Sequence, residues 1–169
     1  VWTVCVNLNE VGRVRHRRKS GMPRVTRAAT LCIVAGGEGI TVHPRSDERH
    51  IRYQDVFDLK QMLTVEFNLE GNPLEPKFME LVQSVRPDQC TLVPVAPGEV
   101  TSQAGWQPGP AGEYPGSAIA RLHARGVRVS LFVDAAPDPI RWCTSVRADP
   151  VALLTHPLER ALDPGPAQG

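Results

Sequence analysis

The chain has 169 residues, of which 41% are apolar and 22% charged, with a formal net charge of +1. That composition is ordinary for a globular domain, and the length gives one domain as the expectation. The near-zero net charge excludes a global basic field of the kind that recruits nucleic acid. The absence of any run of 18 apolar residues excludes a spanning helix.

Taken in chain order, short runs rich in β-branched residues alternate with helical patterns. The first is Val4-Cys5-Val6-Asn7-Leu8, an apolar run without a basic leader, read as a strand and not as a signal peptide. The only basic run follows, Arg13-Val14-Arg15-His16-Arg17-Arg18-Lys19. It reads either as a loop overhanging an active-site mouth, able to close on a phosphate, or as a solvated basic loop. No aromatic residue interleaves it, which argues against nucleic acid. Val25 to Ala35 has helical spacing and stops at Gly36-Gly37. Gly39-Ile40-Thr41-Val42-His43 is the second strand, and Tyr53 to Leu63 the next helix.

Val65 to Glu70, Gln89 to Val93, Val127 to Val133 and a weaker Val151 to Leu154 supply four further strands. Leu74 to Val85, Ser117 to Arg125 and a weaker Pro139 to Arg147 supply the helices between them. Several strands are nearly continuous apolar runs, which suits strands buried on both faces of a parallel sheet. Strict strand–helix alternation predicts an α/β fold with parallel strands. A closed (β/α)8 TIM barrel and an open doubly wound sheet compete. The first strand-to-helix loop has no G-x-G-x-x-G, and polar residues gather at strand ends (Asn7 and Asn9, His43 and Arg45, Asn68 and Glu70), which favours the barrel. Only about six β/α units are present, so the expectation is an incomplete barrel over residues 1–154. The Pro/Gly-rich stretch 155–169 is expected to be a disordered tail.

His43-Pro44-Arg45 with Arg49-His50 carries the strongest chemical signal. A histidine at the end of a buried strand has a tunable pKa, and guanidinium groups grip phosphate in a bidentate manner. A solvated mixed-charge loop with a packed histidine stands as an equal alternative. Glu70 ends a strand before the turn Gly71-Asn72-Pro73; it reads as a desolvated general base or as a capping or salt-bridged carboxylate. Thr101-Ser102 could hold a phosphate or hydroxyl. Asp134 reads as a turn or cap residue and His123 as a surface residue. The four cysteines, Cys5, Cys32, Cys90 and Cys143, are widely spaced and read as buried thiols, and no H-x-H pair ends a strand, so no metal is expected.

These residues closely resemble the pyridoxine 5′-phosphate synthase family of vitamin B6 biosynthesis. The motifs are Val6-Asn7-Leu8-Asn9, Gly39 to Arg45 with Asp47 to Ile51, Phe67 to Asn72, Thr91 to Pro94 with Thr101-Ser102, and Ser130 to Asp134, in order from about Val4 to Leu154. The resemblance implies a (β/α)8 barrel without an organic cofactor, and the unpaired spacing of the cysteines suits a reducing cytoplasm. It implies a transferase that condenses 3-amino-2-oxopropyl phosphate with 1-deoxy-D-xylulose 5-phosphate, releasing phosphate and water. It puts His43 and Glu70 on the two general bases, and Asn7 and Arg18 on the aminoketone phosphate. Asn9, Arg45, His50 and Thr101 fall on the deoxyxylulose phosphate. It implies a homo-oligomer, whose faces the loss of two β/α units would compromise. Two departures stand out: Glu10 where the family often has His or Lys in the first strand, and Ala152 where the sixth strand usually carries a functional Glu. Beyond that strand the resemblance stops, so the expectation is a C-terminally truncated member, either active or a non-catalytic remnant that binds sugar phosphate or associates with a full-length barrel.

Overall fold

The computed structural model describes residues 4–19, 21–94, 104–109 and 113–155, the side chains of residues 113 and 114 excepted. Six strands form one parallel sheet in sequential order: β1 Cys5–Asn7, β2 Gly39–Val42, β3 Glu66–Gly71, β4 Gln89–Leu92, β5 Arg128–Asp134 and β6 Val151–Leu154. Helices α1 Asn9–Arg18, α2 Val25–Val34, α3 Tyr53–Met62, α4 Pro76–Val85, α5 Glu113–His123 and α6 Pro137–Ser145 make the crossovers. The sheet curls as part of a (β/α)8 barrel, with β1 and β6 as its edges among the described residues. The expected α/β barrel class is therefore found, with six of its strands.

The middle strands are buried on both faces, as expected, but the two faces differ in chemistry in a way that matters for function. Their apolar residues lie on one face. Ile40, Val42, Phe67, Leu69, Cys90, Leu92, Val129, Leu131 and Val133 are each at most 1% exposed and pack outward against the helices. The alternate residues, which share the concave face by register, are largely polar: Asn7, Thr41, Asn68, Glu70, Thr91 and Ser130. Period-two alternation in a half-polar sheet, not two apolar faces, explains the pattern. Asn68 is no strand-end residue; it is buried mid-strand, donating to Thr41 Oγ1 at 3.3 Å and accepting from Thr91 Oγ1 at 3.1 Å. This buried polar row is internally satisfied and forms the floor beneath the strand ends.

The basic run is not a loop. Residues 9–18 form α1, with Glu10 in its first turn and Arg15, His16, Arg17 and Arg18 in its last, the arrangement that complements a helix dipole. Gly12 lets this helix lie against the chain at His50, since a Cβ there would stand 2.6 Å from the His50 carbonyl oxygen. The cysteines also differ from expectation: Cys90 and Cys143 are buried, Cys32 is half-buried and Cys5 is exposed, all as free thiols. α4 begins at Pro76, because Asn72 Oδ1 and the Asn72 carbonyl hold residues 74 and 75 in a turn. The stretch expected as a tail lies, from residue 156 on, outside the described residues. Among the described residues no helix is long and apolar enough to cross a membrane.

Candidate active site

The C-terminal ends of β1, β2 and β3 bring four of the expected residues into one hydrogen-bonded unit. Asn7 closes β1, and its Oδ1 accepts the Asn9 backbone N–H at 2.9 Å, an Asx-type bond that turns the chain into α1. That leaves Asn7 Nδ2 to donate to Glu70 Oε2 at 3.2 Å, reaching across β2. Asn9 Oδ1 accepts the backbone N–H of His43 at 2.8 Å, and the Asn9 side chain also hydrogen-bonds the Glu70 carboxylate. The two asparagines thus join Glu70 and His43 in one network.

Glu70 and His43 are both displaced from their ordinary titration ranges. Burial pushes the Glu70 carboxyl up, while its hydrogen bonds from Asn7 and Asn9 pull it partly back. Among the described residues Glu70 is neither a helix cap nor an ion-pair partner, and its carboxyl is desolvated. His43 is lowered to about 4, chiefly by burial and then by repulsion from His50 and Arg45. At neutral pH it is an uncharged imidazole.

The loop after β2 supplies the cationic side of the mouth. The His43 and His50 rings meet edge to face, with centroids 6.2 Å apart. Burial lowers His50 as well, with Arg45 adding to the effect. The Arg45 side chain is only 10% exposed, with Nε 3.8 Å from Asp47 Oδ1. Asp47 spends its carboxylate mainly on Arg49, at 2.6 Å from Nη2 and 2.7 Å from Nε. Within this loop His43, Arg45 and His50 are half-buried, with the two histidine rings in contact, while Ser46 and Asp47 are exposed.

Other expected residues fall elsewhere. Arg18 is exposed in the last turn of α1. Thr101 and Ser102 lie outside the described residues. Asp134 is a turn organiser, accepting the Gly105 N–H at 2.8 Å and Gln107 Nε2. His123 is on the surface and pairs with Asp149 at 2.7 Å. Glu10 sits on α1, not in the strand, and pairs with Arg13 at 3.0 Å. Ala152 is opposite Phe132 on the concave face and offers no titratable group. Among the described residues no group of His, Cys, Asp and Glu side chains is arranged to hold a metal ion.

Sequence reasoning missed Arg15 and Asp55. The Arg15 guanidinium is buried and holds Asp55 in a fork, at 2.6 Å from Nη1 to Oδ1 and 2.7 Å from Nη2 to Oδ2. Nη2 also donates to the His50 carbonyl at 2.8 Å. The signals were Asp55 at the third position of a helix, where a carboxylate caps the preceding backbone N–H, and Gly12 one turn before Arg15.

Polar ends of parallel strands, carrying a desolvated carboxyl, an uncharged imidazole and a cationic loop, form a mouth of the barrel type whose groups are able to exchange protons. Residues 4–165 match the family model described as Pyridoxal phosphate biosynthesis protein PdxJ, and the chain belongs to that family. It is 44% identical over 156 residues to a protein of Porphyromonas gingivalis named pyridoxine 5′-phosphate synthase, covering 92% of this chain and 65% of that protein. The protein of that name from Cytophaga hutchinsonii is also 44% identical, with 90% of this chain and 63% of that protein covered. The one from Albidiferax ferrireducens is 48% identical over 92% of this chain and 65% of that protein. The chain therefore spans just under two thirds of the length of these relatives.

Proposed function

We propose that this chain carries the base pair and one phosphate clamp of a pyridoxine 5′-phosphate synthase. It condenses 3-amino-2-oxopropyl phosphate with 1-deoxy-D-xylulose 5-phosphate and releases phosphate and water. The observation that carries the reading is the tie between Glu70 and His43 through Asn7 and Asn9, beside Arg45 and His50. Imine formation, dehydration, phosphate loss and ring closure each need one proton removed and another delivered. A desolvated carboxyl whose pKa is raised and an imidazole whose pKa is lowered suit such a sequence.

The electrostatics give the substrate a part in the chemistry. His43 is depressed partly by Arg45 and His50. A dianionic phosphate held by Arg45 and His50 offsets the Arg45 charge and raises His43 toward neutrality, where it is a stronger base. Asn7 and Arg18 are assigned to the aminoketone phosphate and Thr101 to the deoxyxylulose phosphate by family likeness alone. The same likeness supports a partial barrel domain over residues 1–154, a cytoplasmic location and self-association.

The test is incubation of the purified chain with both substrates, scored by mass spectrometry for pyridoxine 5′-phosphate. Product formation that His43→Ala abolishes supports the reading; its absence in the unaltered chain contradicts it. A second reading, a sugar-phosphate binder without turnover or a partner of a longer barrel, is favoured by Ala152 and by β1 and β6 each pairing on one side only among the described residues. It predicts calorimetric binding of 1-deoxy-D-xylulose 5-phosphate with no product.

A further inference from the structure

We propose that Arg15 is a positioning residue that decides which nitrogen of His50 faces the mouth, by holding the peptide plane between residues 50 and 51. The His50 carbonyl accepts from Arg15 Nη2 at 2.8 Å, and the Ile51 N–H donates to His50 Nδ1 at 2.9 Å. That carbonyl and that N–H are two ends of one planar unit. Turning the plane breaks both bonds, so gripping the carbonyl fixes the imidazole. A backbone N–H can only donate, hence Nδ1 is the acceptor and the proton of the neutral ring is on Nε2.

Arg15 is itself immobilised. Asp55 holds both arms of the fork, and Asp55 Oδ2 in turn accepts the Arg52 N–H at 2.7 Å, at the start of α3. Gly12 brings α1 within reach, for a Cβ there would collide with the same carbonyl at 2.6 Å. Ile51 is fully buried, and the Pro44–Ile51 bridge closes the loop. His50 is thereby set to offer an Nε2–H donor, suited to a phosphate oxygen. That last consequence rests on the functional reading above; the tautomer and its cause do not.

Long-range ¹H–¹⁵N spectra of the histidine-labelled chain near neutral pH decide the matter. His50 of the unaltered chain is expected in the Nε2–H form, and an Nδ1–H form overturns the proposal. Arg15→Lys keeps a charge beside Asp55 but cannot fork between carboxylate and carbonyl. It is expected to give mixed His50 tautomers with helical content retained, and about tenfold weaker binding of 1-deoxy-D-xylulose 5-phosphate, the loss of roughly one hydrogen bond. Gly12→Ala, which pushes the same carbonyl without removing charge, is expected to mix the tautomers too. Folded variants that keep a pure Nε2–H form overturn the positioning role. An Nε2–H form that becomes mixed in the variants, in a chain that binds no sugar phosphate, upholds the positioning and counts against the functional reading instead.

Discussion

The side-chain oxygen of Asn9 accepts the backbone N–H of His43 at 2.8 Å, binding the start of α1 to the end of β2. The same side chain reaches the Glu70 carboxylate, so one residue is bonded to both the His43 backbone and the Glu70 side chain. Asn9→Ala leaves the His43 N–H without its acceptor and should cost about 1–3 kcal/mol in chemical denaturation. Asn9→Asp is the sharper probe. It keeps an acceptor for His43 but places a second carboxylate against Glu70, raising the Glu70 pKa further. Carboxyl ¹³C titration of the two forms should show the Glu70 midpoint higher in Asn9→Asp than in the unaltered chain.

Glu70 should be held at a cost to stability. Its folded pKa lies above the unfolded value, so its contribution is fully present below the unfolded pKa and is lost as pH rises through the folded one. Glu70→Gln is therefore expected to be as stable as the unaltered chain or more so at neutral pH, with the two converging in acid, while product formation disappears. Denaturation midpoints at pH values on both sides of the carboxylate range check the sign.

Much of this was legible in the sequence because the strands announce themselves. Val, Ile, Leu and Phe runs bounded by Gly and Pro gave six strands, and polar residues following β1, β2 and β3 marked the mouth. The concave face was harder to see. Thr41, Thr91 and Ser130 sit among apolar neighbours, and only strand register shows that they share a face with Asn68 and Glu70. α1 escaped because Val11 and Val14 alone give no helical stripe and Gly12 counts against a helix. Arg15 looked like one cation among six in Arg13 to Lys19, if His16 is counted, and its burial depends on Asp55, forty residues away.

The Arg15–Asp55 pair should behave as a buried ion pair. Removing one partner, as in Asp55→Ala, leaves a buried charge uncompensated and is expected to cost about 3–5 kcal/mol. Replacing both with apolar residues should cost less than the sum of the single changes, and a double-mutant cycle in urea measures that difference.

Thiol reactivity should follow exposure. Cys5 is exposed, although burial of its sulfur and the neighbouring Glu66 carboxylate raise its pKa. Cys90 is fully buried on the outer face of β4, with its thiol pushed far up. With a thiol-disulfide reagent at mildly alkaline pH, Cys5 and Cys32 should react first and Cys90 only on unfolding. Peptide mapping of the labelled sites settles the order.

The central claim is that the mouth holds His43 as a neutral, desolvated base beside Arg45 and His50. Its most direct test is the ¹H–¹⁵N titration of His43 in the folded chain, assigned with His43→Ala. The expected midpoint is about 4. Because that lies below the unfolded value, the unfolded chain takes up the proton first, and His43 should remove about 2–3 kcal/mol of stability as pH falls from about 6.5 to about 4. Addition of 1-deoxy-D-xylulose 5-phosphate should move the midpoint upward. A midpoint at or above the ordinary histidine value in the free chain would contradict the account, for it would mean that His43 is solvated and clear of the cationic loop.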